Sequence, residues 1–214
     1  EDEIEPGELK KIINSAFNFD VPVVHLHDNI YVLETFHGPT LAFKDFGARF
    51  MARTMSYFLK ADEREVNILV ATSGDTGSAV AQGFLGVERI KVTILYPKGK
   101  VSKIQEQQLT TNGENVVAIE VDGTFDDCQR MVKEAFLDQE LNEKLTLSSA
   151  NSINIARLLP QSFYYFYAYS LLAEHPEEIV FCTPSGNFGN LTAGLFAKKM
   201  GLSSSYMLTL LINT

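Results

Sequence analysis

The sequence predicts an α/β fold in which open, twisted parallel sheets are flanked by helices. Short β-rich apolar runs alternate with helix-like runs along most of the chain, which is typical of right-handed βαβ units. Two of the predicted strands, at 66–70 and 179–182, each lead through a glycine-rich polar loop into a helix. Parallel sheets bind ligands at the carboxyl ends of their strands, so both loops lie where a site is expected.

The first sixty residues are predicted to contain two helices and two short strands. Apolar residues at helical spacing indicate a helix at 9–17, and strands are expected at 21–24 and 31–36. The second helix opens near Lys44 and runs to about Leu59, with Thr40 as its expected N-terminal cap.

The rest of the chain continues the alternation. Strands are predicted at 66–70, 90–95, 116–121 and 179–182, and helices at 78–84, 102–111, 125–137 and 191–200. A loop at 148–152 introduces a long aromatic helix at 153–173, and residues 206–212 are suited to a last strand.

Composition excludes several classes of function. The 214 residues, 45% of them hydrophobic, are enough for one or two domains, and a formal charge of -9 disfavours a nucleic-acid partner. Only two cysteines are present, and His25 and His27 lack a third ligand at suitable spacing, so no metal is predicted. No apolar run reaches about 18 residues, so we expect no membrane contact and a cytoplasmic location.

Lys44 is the most informative single residue. It opens a helix close to the apolar side that carries Ala48, Met51 and Met55. A lysine in such a place is costly while charged, and both burial and the positive end of the helix lower its pKa. Desolvated lysines of this kind serve as Schiff-base nucleophiles. The alternative is a lysine whose long side chain reaches water from the helix end.

Three polar loops add anion-binding groups. The runs at 71–78 and 183–190 join a strand to a helix through glycines, which exposes backbone N–H groups and a helix N-terminus. Neither run has the spacing of a P-loop or of a dinucleotide-binding motif. In the third loop, Asn151, Ser152 and Arg157 lie together at the start of a helix and could form an oxyanion clamp. Equally, Asn151 and Ser152 could only cap that helix, with Arg157 paired to an acidic side chain at the surface.

Four of these runs occur in the order found in the threonine synthase family, namely TLAFKDFG, TSGDTG, SANSIN and SGNFGN. Over residues 1 to about 202 the chain resembles the branch of that family found in enteric bacteria and yeast. The resemblance implies a pyridoxal 5'-phosphate enzyme of the tryptophan-synthase-β fold type, with two parallel-sheet domains. It also implies a carbon–oxygen lyase activity, in which O-phosphohomoserine and water give threonine and phosphate by β,γ-elimination and replacement.

The resemblance also implies residue roles. Lys44 would bond to the cofactor and then transfer protons. The cofactor phosphate would lie against Gly186, Asn187, Phe188, Gly189 and Asn190. The loop facing the cofactor ring and the substrate would consist of Thr72, Ser73, Gly74, Asp75 and Thr76, with Asp75 on the cofactor side, where many relatives have asparagine. The substrate phosphate would be held by Thr76, Asn151, Ser152 and Arg157.

Two departures from the family leave alternatives open. Members of the family are longer, and residues 203–214 do not resemble their continuation, so we expect a chain whose C-terminal part is missing. The expected domains are an incomplete cofactor domain, 1–60 with 160–214, and a smaller mobile domain, 61–159. A serine or threonine dehydratase of the same fold is one alternative, and a non-catalytic ligand-binding protein is another. We expect a monomer or a homodimer.

Overall fold

The structure is a computed structural model that describes residues 3–60, 64–151, 154–172, 179–203 and 206–211. Within these ranges the helices are α1 (Pro6–Ala16), α2 (Lys44–Leu59), α3 (Asp75–Phe84), α4 (Lys103–Thr110), α5 (Phe125–Leu137), α6 (Gln139–Lys144), α7 (Ile155–Leu158), α8 (Phe163–Leu172) and α9 (Gly189–Lys199). The strands are β1 (Val23–His27), β2 (Ile30–Leu33), β3 (Val66–Ala71), β4 (Ile90–Pro97), β5 (Val116–Val121), β6 (Thr146–Ser149), β7 (Val180–Ser185) and β8 (Tyr206–Leu211). A 3-10 turn, Leu159–Ser162, joins α7 to α8.

The described strands form two parallel sheets and one antiparallel hairpin. The larger sheet has four strands in the order β5-β4-β3-β6, and β7 pairs with β8 in the smaller one. The hairpin consists of β1 and β2. These parallel sheets with flanking helices confirm the α/β prediction.

The main core lies between the four-stranded sheet and helices α2 and α3. Strand β3 is central in that sheet, and Ile68 and Val70 are fully buried there beside Phe84 of α3 and Met51 of α2. A second core packs α8 and α9 around Tyr165. Helix α2, which begins at Lys44, reaches both cores, since its Met51 packs in the first one and its Phe46 in the second. None of the described helices is long and apolar enough to cross a membrane.

The expected aromatic helix at 153–173 is wrong as a single element. Residues 153 and 173 lie outside the described ranges, and the part between them is α7, a 3-10 turn and α8. Pro160 sits in the turn, where its missing N–H and its ring interrupt an α-helix. Short elements were also missed, because α6 has six residues and β6 has four, and both are polar.

Thr40 is not the cap of α2. The helix begins at Lys44, and Phe43 at the capping position makes no side-chain capping hydrogen bond. Thr40 instead donates two hydrogen bonds to the buried carboxylate of Asp45, from its backbone N–H at 2.9 Å and from its hydroxyl at 2.7 Å. These two hydrogen bonds therefore connect the turn before α2 to the first turn of the helix that carries Lys44.

Candidate active site

A cavity of about 190 Å³ opens where the ends of several elements meet. Lys44 and Phe43 line it from the start of α2, and Asp75 and Thr76 line it from the start of α3. Helix α7, the turn after it, and the end of β7 with the start of α9 supply the rest of the lining: Arg157, Gln161, Pro184, Ser185, Gly186, Asn187, Gly189 and Asn190. Both glycine-containing loops therefore face one space at the carboxyl ends of β3 and β7, as parallel strands dictate.

Lys44 is largely withdrawn from water, with its side chain 18% exposed. Burial lowers the pKa of the amine, the Asp75 carboxylate opposes that change, and the Arg157 guanidinium adds to it. The nearest Asp75 oxygen, Oδ2, lies 4.0 Å from Lys44 Nζ. The side chain is thus an amine whose neutral form is favoured by its surroundings, which is the state required of a nucleophile or a general base.

Thr72 organises the loop after β3. Its hydroxyl oxygen accepts hydrogen bonds from the N–H groups of Gly74, at 3.0 Å, and Gly77, at 2.8 Å. Gly74 has a φ of +145°, which side chains other than glycine rarely adopt. The loop therefore turns sharply into α3 and presents Asp75 at the first position of the helix, where the helix dipole favours a carboxylate.

The connection from β7 to α9 is held by its own side chains. Asn190 donates from Nδ2 to the Pro184 carbonyl at 2.8 Å, and its Oδ1 accepts from the Ser185 hydroxyl and from Leu191 N–H. Phe188 has a φ of +58° at the residue before α9. The first N–H groups of a helix have no partner within it, so the α9 N-terminus at Gly189 offers donors and a positive dipole end to an anion in the cavity.

Arg157 is the most unusual side chain of the cavity, because it is a cation only 1% exposed. One guanidinium nitrogen donates to the Ala150 carbonyl, but Nε has no hydrogen-bond partner. Among the described residues, no carboxylate lies within 4 Å of it as an ion pair. Burial lowers the pKa of Arg157 to about 10, partly offset by the more distant charge of Asp45. A buried guanidinium in this condition is suited to an anionic ligand that completes its hydrogen bonds.

Close packing between α2 and α7 fixes the place of Arg157. A Cβ on Gly47 would lie 2.3 Å from the Arg157 carbonyl oxygen and 3.0 Å from its Nε. Gly47 therefore allows the two backbones to approach until the guanidinium reaches the cavity beside Lys44. Sequence analysis did not single out Gly47, because a glycine inside a helix carries no signal of what packs against it.

Some of the predicted site residues line the cavity and others do not. Eight of them line the cavity, whereas Thr72, Ser73, Gly74, Asn151 and Phe188 do not, and Ser152 lies outside the described residues. Asn151 uses its amide on β3: Oδ1 accepts from Ala71 N–H at 3.3 Å, and Nδ2 donates to Ala71 O at 2.8 Å.

Gln161 is a cavity residue that sequence reasoning missed. It is 2% exposed, and its Nε2 donates to the Arg157 carbonyl at 3.3 Å while Oε1 has no partner. Its only sequence signal is a position four residues after Arg157, within the segment expected to be one long helix.

No metal site accompanies this cavity in the part of the chain that the structure describes. No three His, Cys, Asp or Glu side chains are grouped there as metal ligands would be. The alternating pair His25 and His27 instead contacts Asp28, through its carbonyl at 2.8 Å and its carboxylate at 3.2 Å respectively.

The groups present fit pyridoxal phosphate. A desolvated lysine, a helix N-terminus with adjacent glycines and a cationic wall surround one small space, which matches an aldehyde that carries a phosphate. Fold and site together thus define an α/β enzyme that uses a lysine and binds anions. The chain belongs to the family described as pyridoxal-phosphate dependent enzymes, which it matches over residues 19–204, and this family confirms the predicted cofactor.

Within that family, the chain is similar to threonine synthases. It is 52% identical to the enzyme of Escherichia coli K12 over 202 residues, which cover 94% of this chain and 47% of that protein. It is 43% identical to the enzyme of Saccharomyces cerevisiae, with 94% of this chain and 43% of that protein covered. The chain therefore spans about half the length of the relatives it matches, and the resemblance drawn from the four motifs is confirmed.

Solved structures agree with these relatives. The crystal structure of Escherichia coli threonine synthase superposes with a TM-score of 0.90 at 48% identity, covering 98% of this chain and 49% of that one. Threonine synthase from yeast gives a TM-score of 0.85 at 39% identity, covering 98% of this chain and 45% of that one. A cysteine synthase from Entamoeba histolytica, at 16% identity and a TM-score of 0.68, covers 90% of this chain and 57% of that one, and shows the fold alone.

Proposed function

We propose that this chain carries the cofactor and substrate machinery of a threonine synthase, which converts O-phosphohomoserine and water to threonine and phosphate. The observation that carries the proposal is the pairing of two cations in one cavity. Lys44 is desolvated toward its neutral form, and Arg157 is a buried guanidinium with an unpartnered Nε. A phosphorylated amino-acid substrate needs both a proton-transferring amine and a charge that holds its leaving group.

Pyridoxal phosphate, when bound, supplies an electron sink that stabilises negative charge on substrate carbons. The chain's part is to hold the cofactor and orient it. Lys44 Nζ is the group for covalent attachment, and the loop at 186–190 with the α9 N-terminus is the expected cradle for the cofactor phosphate. Asp75 faces the same space from the opposite side.

Lys44 is also the proposed general acid and base. As a free amine it can accept a proton at Nζ from a substrate carbon and return it later. Burial and Arg157 favour the neutral form, whereas Asp75 at 4.0 Å favours the protonated form and opposes them. That balance suits a group that must both take up and release protons within one turnover.

Arg157 is the proposed binding group for the leaving phosphate. Its partner-free Nε lies in a site almost closed to water, where a charge-assisted hydrogen bond is strong. We expect Thr76, Asn151 and Ser152 to assist it, as the resemblance implies, and Thr72, Ser73 and Gly74 to face the substrate. For Thr72 and Gly74, the contacts support a role in shaping the loop from which Asp75 and Thr76 reach the cavity.

The proposed domain division is a cofactor domain from 1–60 and 160–214 and a smaller mobile domain from 61–159. It is supported by the sheets: strands β3 to β6 all fall within 66–149, and β7 pairs with β8 in 180–211. Monomeric or homodimeric assembly and a cytoplasmic location stay predictions, which light scattering and cell fractionation would test.

One experiment tests the proposed function. Purified protein is mixed with pyridoxal phosphate and O-phosphohomoserine, and cofactor absorbance and released phosphate are followed together. Threonine synthase chemistry requires a cofactor spectrum that changes with substrate and phosphate release in equal amount to threonine. Deamination of serine or threonine without need of a phosphate would instead support a dehydratase. A spectral change without any product would support a ligand-binding protein and contradict the proposal for this chain.

A further inference from the structure

Gln105 is an amide side chain outside the cavity that connects to it through one residue. It lies on α4, and its Nε2 donates to Asp75 Oδ1 at 2.7 Å. At the other end of the same amide, Oε1 accepts from Ser102 N–H at 3.1 Å. Because a backbone N–H can only donate, the oxygen of Gln105 must face Ser102, which leaves the NH₂ group for Asp75. The orientation of the amide is therefore determined by its two contacts.

The loop after β3 leaves space for this amide. A Cβ on Gly74 would lie 2.4 Å from Gln105 Nε2 and 2.5 Å from its Cδ. Gly74 thus has a second requirement besides its φ of +145°, because any side chain at this position would displace Gln105 from Asp75.

Without that contact, the Asp75 carboxylate would be free to turn to water. Its side chain is 52% exposed, whereas Lys44, 4.0 Å from the other carboxylate oxygen, is 18% exposed. Asp75 is the negative group whose charge acts on the Lys44 amine, Arg157 is the positive one, and Asp45 acts in turn on Arg157. A half-exposed carboxylate stabilises a neighbouring ammonium only while it is held near it.

We infer that Gln105 is a positioning residue that holds the Asp75 carboxylate beside the Lys44 amine and thereby controls how readily Lys44 keeps a proton. The inference deepens the proposed function, since it concerns the residue assigned to cofactor attachment. Gln105 does not itself line the cavity, and the lining residue to which it donates is Asp75, so its effect runs through Asp75.

The test measures the reactivity of Lys44 in protein freed of cofactor. Trace acetic anhydride is applied across a pH series, and acetylation of the peptide containing Lys44 is measured by mass spectrometry. Only the neutral amine reacts, so losing nearby negative charge increases labelling below the midpoint. Gln105→Leu should increase Lys44 labelling at neutral pH about two- to fivefold and shift the profile to lower pH, and Asp75→Asn should do so by more. Gly74→Ala should act in the same direction.

Matched controls separate this effect from a damaged helix. Gln107→Leu makes the same chemical change at an exposed position of α4, and Ser102→Ala removes the hydroxyl that caps α4 at Gln105 N–H. Both should leave the Lys44 profile unchanged. In an Asp75→Asn background, Gln105→Leu should add nothing further. The inference is overturned if Gln105→Leu matches the parent profile, if Ser102→Ala reproduces its effect, or if the two changes add independently. Because no cofactor is present, these outcomes do not depend on whether the proposed reaction occurs.

Discussion

Lys44 and Arg157 are two buried cations that line the same cavity, but their surroundings differ. Lys44 has a carboxylate 4.0 Å away and retains 18% side-chain exposure. Arg157 is 1% exposed, and one of its contacts is the neutral carbonyl of Ala150. Burial lowers the pKa of both, yet that of Arg157 stays at about 10. Burial therefore moves Lys44 toward its neutral form, whereas Arg157, with a pKa of about 10, keeps its charge at neutral pH.

This difference separates two chemical tasks. A cation that can become neutral is useful as a nucleophile and as a carrier of protons. A cation that cannot become neutral, and that lacks a partner, lowers the free energy of any anion placed against it. One cavity thus holds a lysine whose pKa is lowered by burial, with Asp75 opposing that change, and a buried arginine without a carboxylate at ion-pair distance among the described residues. The following predictions test that contrast, from the largest expected effect to the smallest.

Lys44→Ala should abolish covalent attachment of the cofactor. In the parent protein with pyridoxal phosphate, borohydride should fix a label on the peptide that contains Lys44, because its amine is the desolvated one in the cavity. The variant should remain folded by circular dichroism. Lys98→Ala and Lys103→Ala serve as controls and should keep the label, and a label fixed on either of those lysines instead of Lys44 would reassign the nucleophile.

Arg157→Leu should leave cofactor binding intact and reduce kcat/KM for O-phosphohomoserine. Loss of a charge-assisted contact to a leaving phosphate costs about 2–4 kcal/mol in the transition state, or two to three decades in rate. Stability should change little, because removing an unpaired buried charge is often neutral or favourable. Arg157→Lys should recover part of the rate, since a point charge lacks the planar fork. Steady-state kinetics with Lys98→Leu as control decide this, and normal turnover by Arg157→Leu would contradict the assignment.

Gly47→Ala should destabilise the protein and disturb the Arg157 side of the cavity. In an open helix interior this change usually stabilises, but here the new Cβ would lie 2.3 Å from a backbone oxygen of α7. We expect a loss of about 1–3 kcal/mol in the free energy of unfolding, measured in urea. Gly99→Ala, where nothing lies within 4 Å but φ is +64°, should lose less and leave phosphate binding unchanged. If Gly47→Ala and Gly99→Ala had equal effects on the free energy of unfolding and on phosphate binding, α7 would be able to shift away from the new Cβ without loss, contrary to this prediction.

The smallest effect should be on the pH dependence of stability. The folded-state pKa of Lys44 lies below its unfolded value of 10.5, so between the two the unfolded chain binds more protons. The contribution of Lys44 to the free energy of unfolding should therefore increase as the pH rises from the folded-state pKa toward the unfolded-state pKa. Lys44→Met lacks this gain, whereas the exposed control Lys133→Met should follow the parent. Parallel curves for parent and Lys44→Met would show that burial does not perturb Lys44.

Much of the architecture was predictable from local patterns. Helix α5 and strand β5 begin and end where the sequence predicts, since β5 is a short apolar run, and in the structure a Thr124–Asp127 capping box marks the start of α5. The start of α2 at Lys44 was also predicted closely, although the expected cap was wrong. Elements whose ends depend on tertiary packing, such as α7 and the 3-10 turn at Pro160, were not.

The site was predictable in its residues but not in its environment. Motif order pointed to Lys44 and Arg157, yet the close approach that positions Arg157 depends on Gly47, which is distant in sequence and carries no chemistry of its own. Gln105 and Gln161 were missed for a related reason. The role of a neutral amide side chain depends on the group that it contacts in the folded structure, and sequence spacing does not reveal that contact.

The backbone conformation of Phe188 indicates how the β7–α9 loop is held in place. Its left-handed backbone, with a φ of +58°, is disfavoured for an aromatic residue, so its neighbours must hold it. Two hydrogen bonds do so: Ser185 Oγ accepts from Phe188 N–H at 3.0 Å, and Thr192 donates its hydroxyl to Phe188 O at 2.7 Å. Contacts within the chain thus fix part of the conformational entropy of this loop on folding, so a phosphate bound at the proposed cradle would meet donors already in place and retain more of its contact energy as affinity.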